Sequence, residues 1–318
     1  MSEDLFYNRD RNISGITAPV VFSDLSLTPV YGSRVDFTSK ILAYETNDSY
    51  MNIIPDSLNN LSVSYKVRYD VNESGCTQLA NFFESKEGYQ SFDFNPDNSG
   101  IYKSKSGSFC ENYAINYINN NHYEFAVDIS VDQAPSFFNW KDSYFLNFDL
   151  LIWSTGYSYK KYDIVYTGVN TNELNNFFYC SGDNLSSASN SPTGVNTAWS
   201  QDFFFSPDIG FQNDVKIQVT KLEFKNSFPL RIKTKNNTAK FDVNYKFTNI
   251  SNKQLLSMLH FLENKAGYRK FRHQIPAVYN RPKVYYCPQW THTWKYNDHN
   301  DLDVTFIEDA LGIIPTDT

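Results

Sequence analysis

The chain has few cysteines, no cluster of basic residues and no long apolar run, and each shortage closes off a class of protein. Four cysteines in 318 residues are too few for a disulfide framework. Lys and Arg number 28 against 35 Asp and Glu, a formal net charge of −7. With no Lys/Arg cluster to offset that balance, specific nucleic-acid binding is not expected. The longest apolar stretch, Tyr144 to Trp153, carries Asn147 and Asp149 and is too short and too polar to cross a bilayer, so no membrane insertion is expected. The chain opens without a cationic segment followed by an apolar one, so no secretory signal is read and folding in cytoplasm is expected. A Gly-rich phosphate loop, a Gly-x-Ser-x-Gly elbow and a His-Glu-x-x-His pair are all missing. No catalytic residue, metal or cofactor is therefore expected, and the chain is not read as an enzyme.

Aromatic side chains are abundant. They make up 17% of residues, with 23 Tyr and 26 Phe, and that bias, with many β-branched residues, reads as mostly strand. The aromatics fall into a repeat. Phe82-Phe-Glu84-Ser-Lys86-Glu-Gly88-Tyr89-Gln-Ser-Phe92 returns as Phe261-Leu-Glu263-Asn-Lys265-Ala-Gly267-Tyr268-Arg-Lys-Phe271, with six of eleven positions identical. Upstream, Val63 to Tyr69 resembles Phe241 to Phe247. Downstream, Phe109-Cys110-x-x-Tyr113 resembles Tyr286-Cys287-x-x-Trp290, and Phe125 to Ile129 resembles Leu302 to Phe306. Such a repeat implies two copies of one supersecondary unit. A chain built this way supplies two equivalent places in something symmetric. Cys110 and Cys287 fall at matching positions and are expected to be small buried residues; Cys76 and Cys180 look incidental.

Four segments follow: an N-terminal arm over 1–34, a first domain over 35–139, an inserted small β module over 140–207, and a second domain over 208–318. Ile41 to Tyr44, Val63 to Tyr69, Val215 to Val219 and Phe241 to Phe247 alternate at period two and read as strands. Leu79, Phe82 and Phe83 share one face of a short helix, with Gly88 as its C′ residue. Ser251-Asn-Lys-Gln254 is a capping-box pattern opening a helix that carries Leu255, Leu259 and Leu262 on one face and closes at Gly267. Phe82, Phe261, Leu79 and Leu259 are expected to be buried beneath their helices. The insert is rich in Ser, Asn, Gly and Tyr, with turn signals at Gly182-Asp183-Asn184 and Ser191-Pro192. It is expected to protrude from the two repeats and to be removable without unfolding them.

Several chemistry-bearing residues have plainer readings. Glu84 and Glu263 occupy matching helix positions in separate repeats, which suits solvated or interface charges better than paired acids. His292, His299 and Asp301 lack zinc-ligand spacing. His260 abuts a helix face and reads as partly buried packing. A base five residues after Cys287 has only Ile115 as its counterpart in the first copy, which argues against a dyad. Trp290 and Trp294 read as core or domain-edge packing, since Tyr113 and Tyr117 stand in their places.

The second unit resembles the minor tail protein family of long-tailed phages, the lambda M type. The resemblance rests on Asn237, the helix end Phe261-Leu-Glu-x-x-x-Gly267-Tyr268-x-x-Phe271, Pro276, Cys287 within Tyr286-x-x-x-Trp290, and Val304-Thr-Phe306-Ile-Glu308. The first unit is a more divergent copy. The family implies an all-β fold here: two tail-tube-like sandwich or barrel domains, each with one flanking helix, plus the small β insert. It also implies a virion protein assembled in the host cytoplasm, forming a ring at the distal tail or baseplate that joins the tail tube to the tip hub. The implied partners are further copies of the chain, as a trimer or hexamer, and the tube, hub and tape-measure proteins.

The insert carries Trp153-x-x-x-Tyr157, Tyr162-Asp163-x-Val165-x-Tyr166, Tyr179, Pro192 and Trp199. This pattern resembles the small type 5/12 chitin- and cellulose-binding modules, with Tyr162 in place of the family's Gly. It implies Trp153, Tyr166, Tyr179 and Trp199 as glycan-binding candidates, at least half of them expected to be core, and a host-surface glycan as a further partner. A carbohydrate-binding adhesion protein at the tail tip is thus the alternative reading. A wall hydrolase would need paired carboxylates, and the insert offers only Asp163 and Asp183.

Overall fold

Alternating apolar residues build twelve-residue strands at matching places in the two repeats. In a computed structural model these are β4 (Leu61–Asn72) and β17 (Ala239–Ile250), and along β4 buried side chains alternate with less buried ones. The structure describes residues 29–309 except 46–50, 58–59, 97–99, 135–142, 144, 149, 168–176, 188–190, 194–197, 209–211, 218–219, 223–229, 233–238, 276–281 and 297. Most of the N-terminal arm, Trp140, Val219, Asn237 and Pro276 therefore lie outside the described residues. The fold is all-β, with large antiparallel sheets.

Each repeat runs strand, helix, short strand, long hairpin. In the first, β4 leads to helix α1 (Glu73–Lys86), then β5 (Phe92–Phe94), β6 (Lys105–Asn119) and β7 (His122–Ala134). In the second, β17 leads to helix α2 (Asn252–Lys265), then β18 (Phe271–His273), β19 (Lys283–Tyr296) and β20 (His299–Glu308). Before these come β1 (Arg34–Ser39) with the hairpin β2 (Ile41–Glu45) and β3 (Met51–Pro55), and, in the second repeat, β14 (Gln212–Ile217) with the pair β15 (Thr220–Leu222) and β16 (Leu230–Ile232). The insert contributes the short strands β8 (Leu151–Ile152), β9 (Ser158–Tyr159), β10 (Ile164–Tyr166), β11 (Phe177–Cys180), β12 (Asn184–Leu185) and β13 (Trp199–Ser200).

The two helices match bond for bond. Asn72 caps α1 by accepting from Gly75 N at 2.9 Å, and Ser251 caps α2 by accepting from Gln254 N at 3.3 Å, satisfying orphan N–H groups. At the other end the first left-handed residues are Glu87 (φ 49°) and Ala266 (φ 48°), followed by Gly88 (φ 73°) and Gly267 (φ 78°). The glycines thus sit at C′, directly after the C-cap residues, the place expected for Gly88. Two consecutive left-handed residues are needed, and glycine takes the second without a Cβ penalty. Tyr89 and Tyr268 then donate back to Lys86 O and Lys265 O, both at 3.2 Å. Lys86 lies over the Phe82 ring at 5.5 Å and Lys265 over Phe261 at 5.4 Å. Leu79, Phe82, Leu259 and Phe261 are buried.

Cys110 and Cys287 mark a second shared device. Each lies at a register shift in its long hairpin, between Cys110 and Asn112 and between Tyr286 and Gln289. Each thiol donates to the carbonyl two residues on, Asn112 O at 3.7 Å and Gln289 O at 3.4 Å. A buried thiol of this size fills the kink that a bulge creates.

Two compact units emerge, one of residues 1–35 and 63–132, the other of 36–62 and 133–318. In the first unit the order is β4-β7-β6-β5. In the second it is β14-β17-β20-β19-β1, with β18 also on β19. The expected boundary between the repeats moves as a result: 36–62, expected in the first domain, packs with the second repeat. The insert also belongs to the second unit. It does not stand off as a module, because its aromatic face covers α2: Tyr179 and Phe203 lie 5.5 and 5.4 Å from the Phe261 ring.

Candidate interaction site

The long hairpins β6–β7 and β19–β20 are equivalent, yet they differ in what covers them. On β19, Trp290 is buried against the Phe37 ring from β1, stacked at 5.2 Å and 14°. Beside it, Thr291 Oγ1 donates to Asp36 Oδ1 at 2.8 Å. Position 37 therefore faces 290 and position 36 faces 291, an antiparallel register. β1 is also pinned at its end. Ser39 Oγ and Asn60 Nδ2 both donate to Ala266 O at 2.9 Å, which satisfies a carbonyl at the end of α2. Gly267 makes this possible, because a Cβ there would overlap the Ser39 side chain.

Farther along β19, His292 is fully buried and bonds Asn300 Oδ1 at 2.9 Å. Burial pulls its pKa down to about 4. Asn300 Nδ2 in turn reaches Ile250 O at 3.3 Å and Asn252 Oδ1 at 2.8 Å. His292 is a neutral strut between hairpin and helix entry, and among the described residues no group of three His, Cys, Asp or Glu could hold a metal.

On β6 the same positions look outward. Tyr113, in the place of Trp290, is half-buried, stacks on Phe125 at 5.2 Å and donates to Glu84 Oε1 at 3.2 Å. Beyond it Ile115, Tyr117 and Ile118 are 44%, 65% and 51% exposed, whereas at the matching places of β19 His292 is buried, Trp294 is half-buried and only Lys295 is exposed. Among the described residues β6 pairs only with β7 and, through residues 105–108, with β5.

Glu84 and Glu263 diverge for a visible reason. Glu84 faces solvent, while Glu263 is buried and accepts from Ser143 Oγ and from Phe145 N at 3.1 Å. The insert's first residues thus complete a charge that would be costly to bury unpaired. His260 is more deeply buried than its sequence position suggested. Tyr179 OH meets its Nδ1 at 2.9 Å, and the Phe148 and Phe177 rings lie 4.7 and 5.0 Å away. Burial lowers its pKa to about 3.

The glycan candidates do not form a platform. Tyr166, Tyr179 and Trp199 are buried, and Tyr179 and Trp199 face α2 and the insert's own core respectively. Trp153 is half-buried against that core of Tyr159, Val165, Phe178, Cys180 and Trp199. A sugar stacks on an exposed ring face, and these faces are spent on packing. Asp163 takes Lys160 N at 2.7 Å and pairs with Lys253 at 2.6 Å. Asp183 takes Lys161 N at 2.9 Å, which with Lys160 holds its carboxyl below the usual range. Both carboxylates order a turn. All four cysteines are free and buried, and burial pushes the Cys110 thiol up to about 11 and the Cys287 thiol higher still. Neither is a thiolate at neutral pH.

Sequence reasoning missed His273, whose ring nitrogens meet Phe203 O and Tyr245 OH, both at 2.8 Å. It also missed the enclosed pair Lys270–Asp309 at 2.7 Å. Neither carries a local signal, because the partners are tens of residues apart. Compared with known proteins, the chain matches no family model and no curated protein.

Proposed function

We propose that the chain is a structural virion protein that forms a ring at the distal end of a phage tail, joining the tail tube to the tip hub. The observation that carries the reading is the duplication. Two units share helix caps, bulge cysteines and hairpin register, so one chain offers two equivalent places around an axis. Closed rotational symmetry is the ordinary use of equivalent places. The motifs that resemble the minor tail protein family lie at the shared helix ends and hairpins, and the negative charge suits a lumen through which DNA must slide without sticking. Three chains would set six units around one lumen, and six chains would divide the two copies between two environments. The adhesion alternative loses support, because the rings it relies on are packed inside. The test is gold labelling of purified particles with an antibody against the chain. The reading predicts label confined to the distal tail end, and it fails if particles carry none.

A further inference from the structure

We infer that copies of this chain join edge to edge, β14 of one copy adding to the open edge of β6 in the next. This deepens the ring reading and rests on it. The template lies in the second unit. There β1 borders β19 on one side, through Phe37 on Trp290 and Asp36 on Thr291. On its other side it borders the start of β4, with Lys40 N donating to Asn60 O at 2.7 Å and Ser62 Oγ to Thr38 O at 3.1 Å.

The repeat supplies the counterpart of every part of this arrangement. β6 corresponds to β19, β17 to β4, and β14 to β1. The registers agree: Thr38 lies beside Ser62, and at the matching places Lys216 pairs with Lys240. Among the described residues β14 is bordered only by β17, and β6 has no neighbour along Cys110–Asn119 on the side away from β7. The chain thus has one donor strand with an open outer side and one acceptor edge, both copied from a pair that is already satisfied within it. The exposure pattern agrees. Ile115, Tyr117 and Ile118 are exposed on β6, and exposed apolar side chains beside an unpaired edge invite a partner strand. Among the described residues β14 and β6 of one copy are not paired with each other, whereas a closed ring uses every such edge.

The register is specific. Asp36 opposite Thr291 becomes Asp214 opposite Ala114 of the next copy, and Phe37 opposite Trp290 becomes Val215 opposite Tyr113. Asp214 and Ala114 are both exposed. In the full-length chain, Ala114→Cys with Asp214→Cys should form disulfides between copies under mild oxidation, since opposed Cβ atoms lie close enough to bridge. The native cysteines are buried and do not compete. A non-reducing gel should show a ladder ending at the ring number, and the displaced pair Asn116→Cys with Asp214→Cys should give a much weaker one. Separately, Ile115→Lys with Tyr117→Lys should shift the assembled species to monomer on sedimentation with the melting temperature unchanged, while Ile152→Lys, at an equally exposed site in the insert, should not. An oligomer that forms without the ladder, or that cross-links equally through the displaced pair, overturns the edge pairing and leaves the tail reading standing. A wild-type chain that stays monomeric at high concentration also overturns the pairing; the tail reading is then decided by the gold label alone.

Discussion

Gly267→Ala should cost far more than Gly88→Ala, although the two glycines close matching helices with matching backbones. Both have positive φ, 78° and 73°, so an alanine at either pays about 1–2 kcal/mol of left-handed strain. At Gly88 the new Cβ meets only Cys110 O at 3.4 Å, and little more is lost. At Gly267 it overlaps Ser39, and β1 must move. Overpacking of this kind costs about 1–3 kcal/mol. The Ser39 and Asn60 hydrogen bonds to Ala266 O go with it, each contributing roughly 0.5–1.5 kcal/mol. The expected losses are about 1–2 kcal/mol for Gly88→Ala and about 3–8 kcal/mol for Gly267→Ala. Urea unfolding followed by tryptophan fluorescence measures both, given a constant denaturant slope. Ser39→Gly removes the obstructing Cβ, so Ser39→Gly with Gly267→Ala should cost less than the separate effects predict, a coupling that the double-mutant cycle reads directly. Equal losses at the two glycines, or additivity in the cycle, would refute the claim that β1 is seated on the end of the second helix.

Phe261→Ala should cost about 3–5 kcal/mol, because its ring is enclosed by Tyr179, Phe203 and Phe271; a loss under about 1 kcal/mol in the same assay would mean the helix is not covered by the insert. Deleting residues 154–200 should expose that helix face and raise dye binding and protease sensitivity in the second repeat; an intact second repeat would restore the detachable-module picture. His260, His273 and His292 have pKa values lowered by burial to about 3, 4 and 4. Their unfolded forms take up protons first, so the stability they contribute is whole above about pH 6.5 and falls toward pH 4, by up to about 1.4 kcal/mol per pH unit for each. His260→Gln should flatten that slope in pH-dependent melting, and an unchanged slope would contradict the burial. Tyr166→Ala should lower stability without changing retention on chitin or cellulose, since the ring is packed inside; a selective loss of retention in a folded variant would reinstate the glycan reading.

The duplication was legible because it is local. Helix caps, left-handed closures and strand alternation are set by residues within a few positions of one another, and the 82–92 and 261–271 segments carry the closures. Burial of Phe82 and Phe261 was expected from the helix faces and the repeat, and that of Cys110 and Cys287 from their matching positions and small size. Which elements pack together was not legible. The assignment of 36–62 to the second unit depends on Phe37 meeting Trp290 and Ser39 meeting Ala266, contacts more than two hundred residues apart. The insert's aromatics misled for a related reason. A ring that stacks on a sugar and a ring that covers a helix look alike in sequence, and only the presence of His260 and Phe261 beneath Tyr179 tells them apart. Glu84 and Glu263 show the same limit: each has Phe two places before it and Lys two places after, and the difference is supplied by Ser143 and Phe145 more than a hundred residues away.

The central claim is that the chain works as a symmetric ring at the tip of a tail. Averaged electron images of purified particles, viewed down the tail axis at the level marked by an antibody against this chain, test it most directly. The account predicts a closed annulus with three- or six-fold symmetry at the distal end, its mass equal to that many copies. Label on isolated, unordered copies, or on particles with no annulus at that level, would contradict it.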